Sequence, residues 1–344
     1  MTISLSAAKQ QAAKAVAEAL QGARRIVLTT HVHPDGDGLG SEVGLALLLR
    51  AMGKEVTVAN PSPTPARYDF LFEALPGLDQ SREAVKAIRR SDLIVVLDIA
   101  DTGRLGSLGG EVEKRGVPVV CLDHHASPGH LPKGPRYVDP MAAATGELVY
   151  EVAVANGWPV TEPVARSLYV ALVTDTGGFR FSNTHPRTLR IAADLLEVGI
   201  DPESIYLDVY ANAPAGRPRL LAETLGTMVI ERDHGLAWVT VPPGAMERHG
   251  VTPDDLEGIV EHPRSISGIR LAILFRELTG GRVKVSLRSV GEVNVAEFAH
   301  RFGGGGHAKA AGVAVTGEMA EVQEKILGEA RQYLAGLGNG ALNE

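Results

Sequence analysis

His31-Val-His-Pro-Asp35-Gly-Asp37-Gly-Leu-Gly-Ser41 follows directly on Arg25-Ile-Val-Leu-Thr-Thr30. The run before it reads as a buried strand, and the stretch itself sets imidazole and carboxylate groups where that strand ends. Two further apolar runs finish in the same way. Leu93-Ile-Val-Val-Leu97 runs into Asp98, and Val117-Pro-Val-Val-Cys-Leu122 runs into Asp123-His124-His125. Three strand ends thus bring acids and histidines to one edge, the crevice outside the carboxyl ends of an α/β sheet.

Outward from these strands the pattern alternates. Strands over 25–30, 55–59, 92–98 and 117–122 are separated by a helix over 39–52 and a loop carrying Pro61, Pro63 and Pro65; helices near 145–156 and 162–174 follow. Such alternation predicts a doubly wound, mainly parallel sheet with helices on both faces. Residues 186–211 read as polar helix, and Pro214-Ala-Gly-Arg-Pro218 breaks the pattern. The division expected is 1–185 for a first domain, 186–218 for a helical linker, and 219–344 for a smaller α/β domain across a cleft. In that second part a helix over 219–228 leads to a strand at 237–241. The alternating runs 269–275 and 283–287 then flank a two-residue turn at Gly280-Gly281. Asn294-Val-Ala-Glu297 reads as a capping box before a short helix, which ends in Gly303-Gly-Gly-Gly-His307.

The chain has 344 residues, 44% hydrophobic and 22% charged, with a net charge of −7, which suits two soluble domains. No segment approaches the ~18 consecutive apolar residues of a membrane helix. Residues 6–21 read as an amphipathic helix, not a secretion signal. The single Cys121 lies in an apolar strand as a buried thiol; it fits a reducing cytoplasm. The acidic balance disfavours a grip on long duplexes, although a local basic patch can hide in an acidic total.

Asp35 and Asp37 are two apart, so in an extended loop both side chains leave one face, one carboxylate for each of two ions. Asp98 can bridge. His31 and His124 offer imidazole nitrogen, which suits manganese, iron, cobalt or zinc better than calcium. Asp175, in Leu172-Val-Thr-Asp175, closes the set. These six residues match the needs of two-metal hydrolysis of a phosphate ester. Each also has a plainer reading: Asp35 as a turn former, Asp98 as a helix cap, the paired histidines as surface residues. In the C-terminal part, the glycines let backbone N–H groups approach a phosphate, and Arg288-Ser289 supplies a fork donor and a hydroxyl.

Taken together, these motifs resemble the DHH phosphoesterases, specifically the two-domain branch of nanoRNases and adenosine bisphosphate phosphatases. The stretch 31–41, Asp98, the triplet 123–125 and Thr174-Asp175-Thr-Gly-Gly-Phe-Arg180 carry the resemblance in the first part. Pro263-Arg264, Val283-Lys-Val-Ser-Leu-Arg288-Ser289 and Gly303-Gly-Gly-Gly-His307-Ala-Lys-Ala-Ala-Gly312 carry it in the second. The resemblance implies a first metal on His31, Asp35 and Asp98, and a second on Asp37, Asp98, His124 and Asp175, most often manganese. Asp123 would orient an imidazole, and His125, as imidazolium, would face the reacting phosphate. Arg264, Arg288, Ser289, the backbone of Gly304, Gly305 and Gly306, and His307 would hold the nucleotide. His33 is a loop residue near the site.

The resemblance further implies a cytoplasmic enzyme, with a homodimer among its expected states. It would degrade short oligoribonucleotides to mononucleotides and dephosphorylate adenosine 3′,5′-bisphosphate. Hydrolysis of cyclic di-adenosine monophosphate or its linear dinucleotide product is the alternative; a non-catalytic nucleotide-binding module is a more distant one.

Overall fold

The computed structural model describes residues 5–125 and 129–338. The chain forms two compact units that divide between Asn212 and Ala213.

The first unit runs α1 (Ala7–Gly22), β1 (Arg25–Thr29), α2 (Gly36–Ala51), β2 (Glu55–Val58), α3 (Ala84–Arg90), β3 (Leu93–Leu97), α4 (Gly109–Arg115), β4 (Val119–Asp123), β5 (Arg136–Val138), α5 (Thr145–Ala155), α6 (Glu162–Asp175), α7 (Pro186–Glu197) and α8 (Pro202–Tyr210). Its five strands pair in parallel, in the order β2-β1-β3-β4-β5. β3 and β4 are buried at every residue, so they read as continuous apolar runs and not as alternating ones. Leu28, Val95, Leu97 and Leu122 enter one core layer with α2, α5 and α6, while Val27, Ile94 and Val96 enter a second with α3 and α4. Strand order reverses between β1 and β3, the place where sheets of this order hold their ligands.

Helix α2 begins at Gly36, earlier than the 39 expected from apolar spacing. Asp35 caps it, its Oδ1 accepting from the backbone N–H of Asp37 (3.2 Å) and Gly38 (3.1 Å). Gly36, Gly40 and Gly44 form a packing seam. A Cβ on Gly36 would lie 2.5 Å from Thr174, one on Gly40 2.5 Å from the Ser167 carbonyl, and one on Gly44 2.6 Å from Leu168. Residues four apart share a helix face, so α2 lies hard against α6.

The stretch 186–218 is not one linker. α7 and α8 place Ile191, Leu195, Ile205 and Val209 in the first unit's core. Pro218 sits in the first turn of α9 (Gly216–Leu225), where a missing N–H costs little, so it breaks nothing. The second unit continues with β6 (Val229–Glu231), β7 (Leu236–Thr240), α10 (Ala245–His249), α11 (Glu261–Arg264), β8 (Leu271–Leu278), β9 (Arg282–Ser289), α12 (Val295–His300), β10 (Gly305–His307), β11 (Ala310–Thr316) and α13 (Met319–Gly336). Its six-stranded sheet is ordered β10-β11-β9-β8-β7-β6, antiparallel except for β7 with β8. Leu278 pairs with Arg282, so the hairpin loop has three residues, Thr279 to Gly281, one more than the sequence suggests. Asn294 caps α12 as expected, its Oδ1 accepting from Ala296 and Glu297.

Candidate metal centre

All six expected ligands lie together at the carboxyl edge of the parallel sheet. His31 follows β1, Asp98 follows β3, His124 follows β4, Asp35 and Asp37 open α2, and Asp175 closes α6. The two aspartates do not share an extended loop; Asp35 is the cap and Asp37 lies one residue inside the helix. Asp98 holds φ at +57°, a left-handed conformation unfavourable for most side chains though tolerated by Asp.

Each histidine is held in one orientation by a backbone carbonyl. His31 Nδ1 donates to the Val32 carbonyl at 2.8 Å, and His124 Nδ1 to that of Ala142 at 3.2 Å. Both Nε2 atoms therefore face the acids, where each would offer its lone pair to an ion that displaced the proton. His31 Nε2 lies 3.5 Å from Asp35 Oδ2 and 3.6 Å from Asp98 Oδ2. His124 Nε2 lies 3.6 Å from Asp37 Oδ2, 3.4 Å from Asp98 Oδ1 and 3.6 Å from Asp175 Oδ2. These gaps exceed good hydrogen bonds. They approach the edges of a coordination sphere, where donors about 2.1 Å from an ion stand roughly 3.0–3.4 Å apart. Asp98 turns one oxygen to each histidine. Two groups, His31–Asp35–Asp98 and Asp37–His124–Asp175, are each close enough to hold one ion, with Asp98 between them.

The charges show what an empty site must endure. His31 is raised to about 10, burial opposing and the Asp35 and Asp98 carboxylates prevailing. His124 is likewise raised, against burial, by Asp98, Asp37 and Asp175. Asp98 is pulled well below the usual carboxylate range, burial being outweighed by the two histidines. Burial and the negative charge of Asp98 push Asp37 well up, and burial raises Asp175 to about 7. Four carboxylates in one pocket recruit protons unless cations replace them. The oxygen and imidazole donors fit two divalent ions of the manganese-to-zinc type.

The surroundings fix these ligands. Asp37 accepts from the backbone N–H of Thr145 (2.7 Å) and Gly146 (3.0 Å) and from Ser41 Oγ (3.1 Å), so it also caps α5. Thr145 Oγ1 donates to Asp98 Oδ1, and Asn183 Nδ2 donates to the Asp175 carbonyl. Asp123 is fully engaged, Oδ2 accepting from Ala100 N–H and Oδ1 from His125 Nδ1 at 2.7 Å. Arg104 Nη1 stands 3.3 Å from His125 Nε2. His125 thus sits between a carboxylate that accepts from it and a guanidinium, so Arg104 brings a fixed positive charge to this side of the site. His33 is exposed, its N–H bound to Ser62 Oγ. Thr145, Asn183 and Arg104 carry no spacing signal and went unread in the sequence.

The expected nucleotide-holding residues lie in the second unit. Arg264 and Arg288 both pair with Glu261. Ser289 is buried, and its hydroxyl donates to the Val293 carbonyl at 2.7 Å; its one proton braces the loop and is not presented outward. Gly304 and Gly306 pass so close to β11 that a Cβ would meet the Gly312 carbonyl at 2.4 Å and the Ala310 carbonyl at 2.5 Å. Part of the glycine run is thus strand β10. The His307 side chain lies outside the described residues.

Residues 25–172 match the DHH family, N-terminal domain, and residues 236–336 match the DHHA1 domain. The chain is 33% identical to the bifunctional oligoribonuclease and PAP phosphatase NrnA of Thermus thermophilus, over 94% of each chain. It is 28% identical to the NrnA of Bacillus subtilis, over 84% of this chain and 89% of that one. An exopolyphosphatase-related protein from Bacteroides fragilis has the same fold, with a TM-score of 0.90 and 28% identity over 98% and 99% of the two chains. The chain therefore belongs to the DHH family, as a phosphoesterase built from the DHH N-terminal domain followed by a DHHA1 domain.

Proposed function

We propose that the protein hydrolyses oligoribonucleotides a few residues long to mononucleotides and removes a phosphate from adenosine 3′,5′-bisphosphate, with two manganese ions at the six-residue centre. The observation that carries this reading is Asp98, one oxygen toward each of two histidines whose other nitrogens are tied to backbone. Divalent ions bound there would supply Lewis acidity and lower the pKa of a water molecule. The chain's own residues do the rest. Asp98, Asp37 and Asp175 gather carboxylates at the sheet edge, and the backbone N–H groups of the α5 N-terminus hold Asp37 aimed. Asp123 orients His125, and the Arg104 guanidinium beside it offers positive charge to a phosphate as its negative charge grows. Arg264 and Arg288 would meet the nucleotide's phosphate by exchanging Glu261 for it. Relatives named as oligoribonuclease and PAP phosphatase support the substrate class. The acidic total charge and lone buried thiol fit short substrates met in the cytoplasm, by a monomer or a homodimer.

The test is turnover with manganese on a matched panel: adenosine 3′,5′-bisphosphate, RNA of two to five and of twenty-four nucleotides, cyclic di-adenosine monophosphate and its linear product. Fast release from the bisphosphate and the shortest RNAs is expected. Preference for the cyclic or linear signalling dinucleotides would replace this reading with the alternative.

A further inference from the structure

A cavity of about 540 Å³ in the first unit runs along α3 and the turn that leads into it. It is basic in an acidic protein. Arg82, Lys86, Arg89 and Arg90 line it, all exposed, opposite Ser107. Among the described residues, Glu83 pairs with Lys86 at 2.7 Å and Glu111 with Arg89 at 3.0 Å. Lys86, Arg89 and Arg90 lie on α3 and Arg82 in the 3-10 turn Ser81–Glu83 just before it, so the cations follow one another along the groove over about 12 Å at roughly 1.5 Å per residue.

One end of the stripe is joined to the metal centre by hydrogen bonds. Ser81 Oγ accepts from Asn60 N–H at 2.9 Å, and Asn60 Oδ1 accepts from Thr30 N–H at 2.8 Å. Thr30 directly precedes His31. Asn60 and Ser81 both line the groove, so it opens beside the loop that carries the first ligand and leads away from it. A track of positive charge starting at a phosphoesterase centre suits a polyanion whose terminal residue is at that centre.

We infer that this groove binds the phosphates of the oligoribonucleotide beyond the scissile one. Its length takes roughly three phosphates at the ~3.4 Å spacing of a stacked strand. The inference rests on the proposed substrate class and adds to it the element that distinguishes a pentanucleotide from a bisphosphate, which is too short to reach along α3.

The test compares two double charge reversals by fluorescence anisotropy, using a labelled, phosphorothioate-linked pentaadenylate. Arg82→Glu with Lys86→Glu alters the groove. Lys14→Glu with Arg24→Glu makes the same change in net charge on exposed positions before β1, at the other edge of the sheet. The groove variant is expected to weaken binding about tenfold at low salt and to flatten the log–log salt slope by about 1.4, two contacts at ~0.7 each. The control variant is expected to keep wild-type affinity. Equal weakening in both, no weakening in either, or no binding by the wild type would overturn the groove. Absence of wild-type turnover on the bisphosphate and the pentamer would instead overturn the proposed function, while the binding comparison would still decide the groove.

Discussion

Asp98 occupies the position where geometry, strain and charge meet. Asn tolerates the same left-handed backbone, so Asp98→Asn is expected to fold while losing the oxygen shared by both groups. Turnover should fall at least ~10³-fold, the scale of a lost transition-state contact, and bound metal, read by elemental analysis, should fall below two per chain. Glu42 gives a separate residue-scale test. It is fully buried, with Asn60 Nδ2 donating to one oxygen and the other without a partner, and burial raises it to about 8. Its folded value lies above the unfolded one, so its contribution is complete below about pH 4.5 and is lost as pH rises through about 8, on the order of 5 kcal/mol. In chelator, Glu42→Gln should match wild-type melting at pH 5 and exceed it by several degrees at pH 8.5. Equal melting at both pH values would show that Glu42 titrates normally. The acids and histidines were legible because their types and strand-end positions are written in the chain. Arg104, Thr145 and Asn183 were not, because a single hydrogen bond across folded chain leaves no periodic mark.

Among the elements, α2 and α6 set the distance between Asp37 and Asp175. A methyl at Gly40 meets backbone, the Ser167 carbonyl at 2.5 Å and the Ala171 N at 2.9 Å. Gly40→Ala is therefore expected to cost about 1–3 kcal/mol, lower the melting temperature by several degrees and weaken metal binding with it. Gly110, inside α4 with nothing within 4 Å of an added Cβ, is the control; its change to Ala should stabilise by roughly 0.5–1 kcal/mol. Melting curves of the two variants check both signs. Strands β1, β3 and β4 were legible as apolar runs. The start of α2 was not, because Gly-Asp-Gly is equally the composition of a turn and only its packing against α6 decides. Three-residue β5 and β10 are too short for any period to show.

At the scale of the whole molecule, two units with separate cores should respond separately to metal. The six ligands all belong to the first, so manganese at 100 times its Kd should stabilise that unit by about 2.7 kcal/mol and leave the second unchanged. Hydrogen exchange with and without manganese resolves the two; equal protection gained in both units would contradict the assignment. The exposed stretch 211–215 between α8 and α9 is where limited proteolysis should cut first. The two-part organisation was visible in the change from alternating helix and strand to paired strands. The boundary fell within a stretch read as linker, because α7 and α8 mix apolar and polar residues on their exposed faces, Leu189, Tyr206 and Leu207 among them, and only the buried Ile191, Leu195, Ile205 and Val209 reveal their attachment.

The most direct measurement is anomalous scattering from a crystal of the protein grown with manganese. Two peaks are expected, one contacted by His31 and Asp35, the other by Asp37, His124 and Asp175, with Asp98 reaching both. A single peak, or two that do not share Asp98, would contradict the two-ion centre on which the proposed chemistry depends.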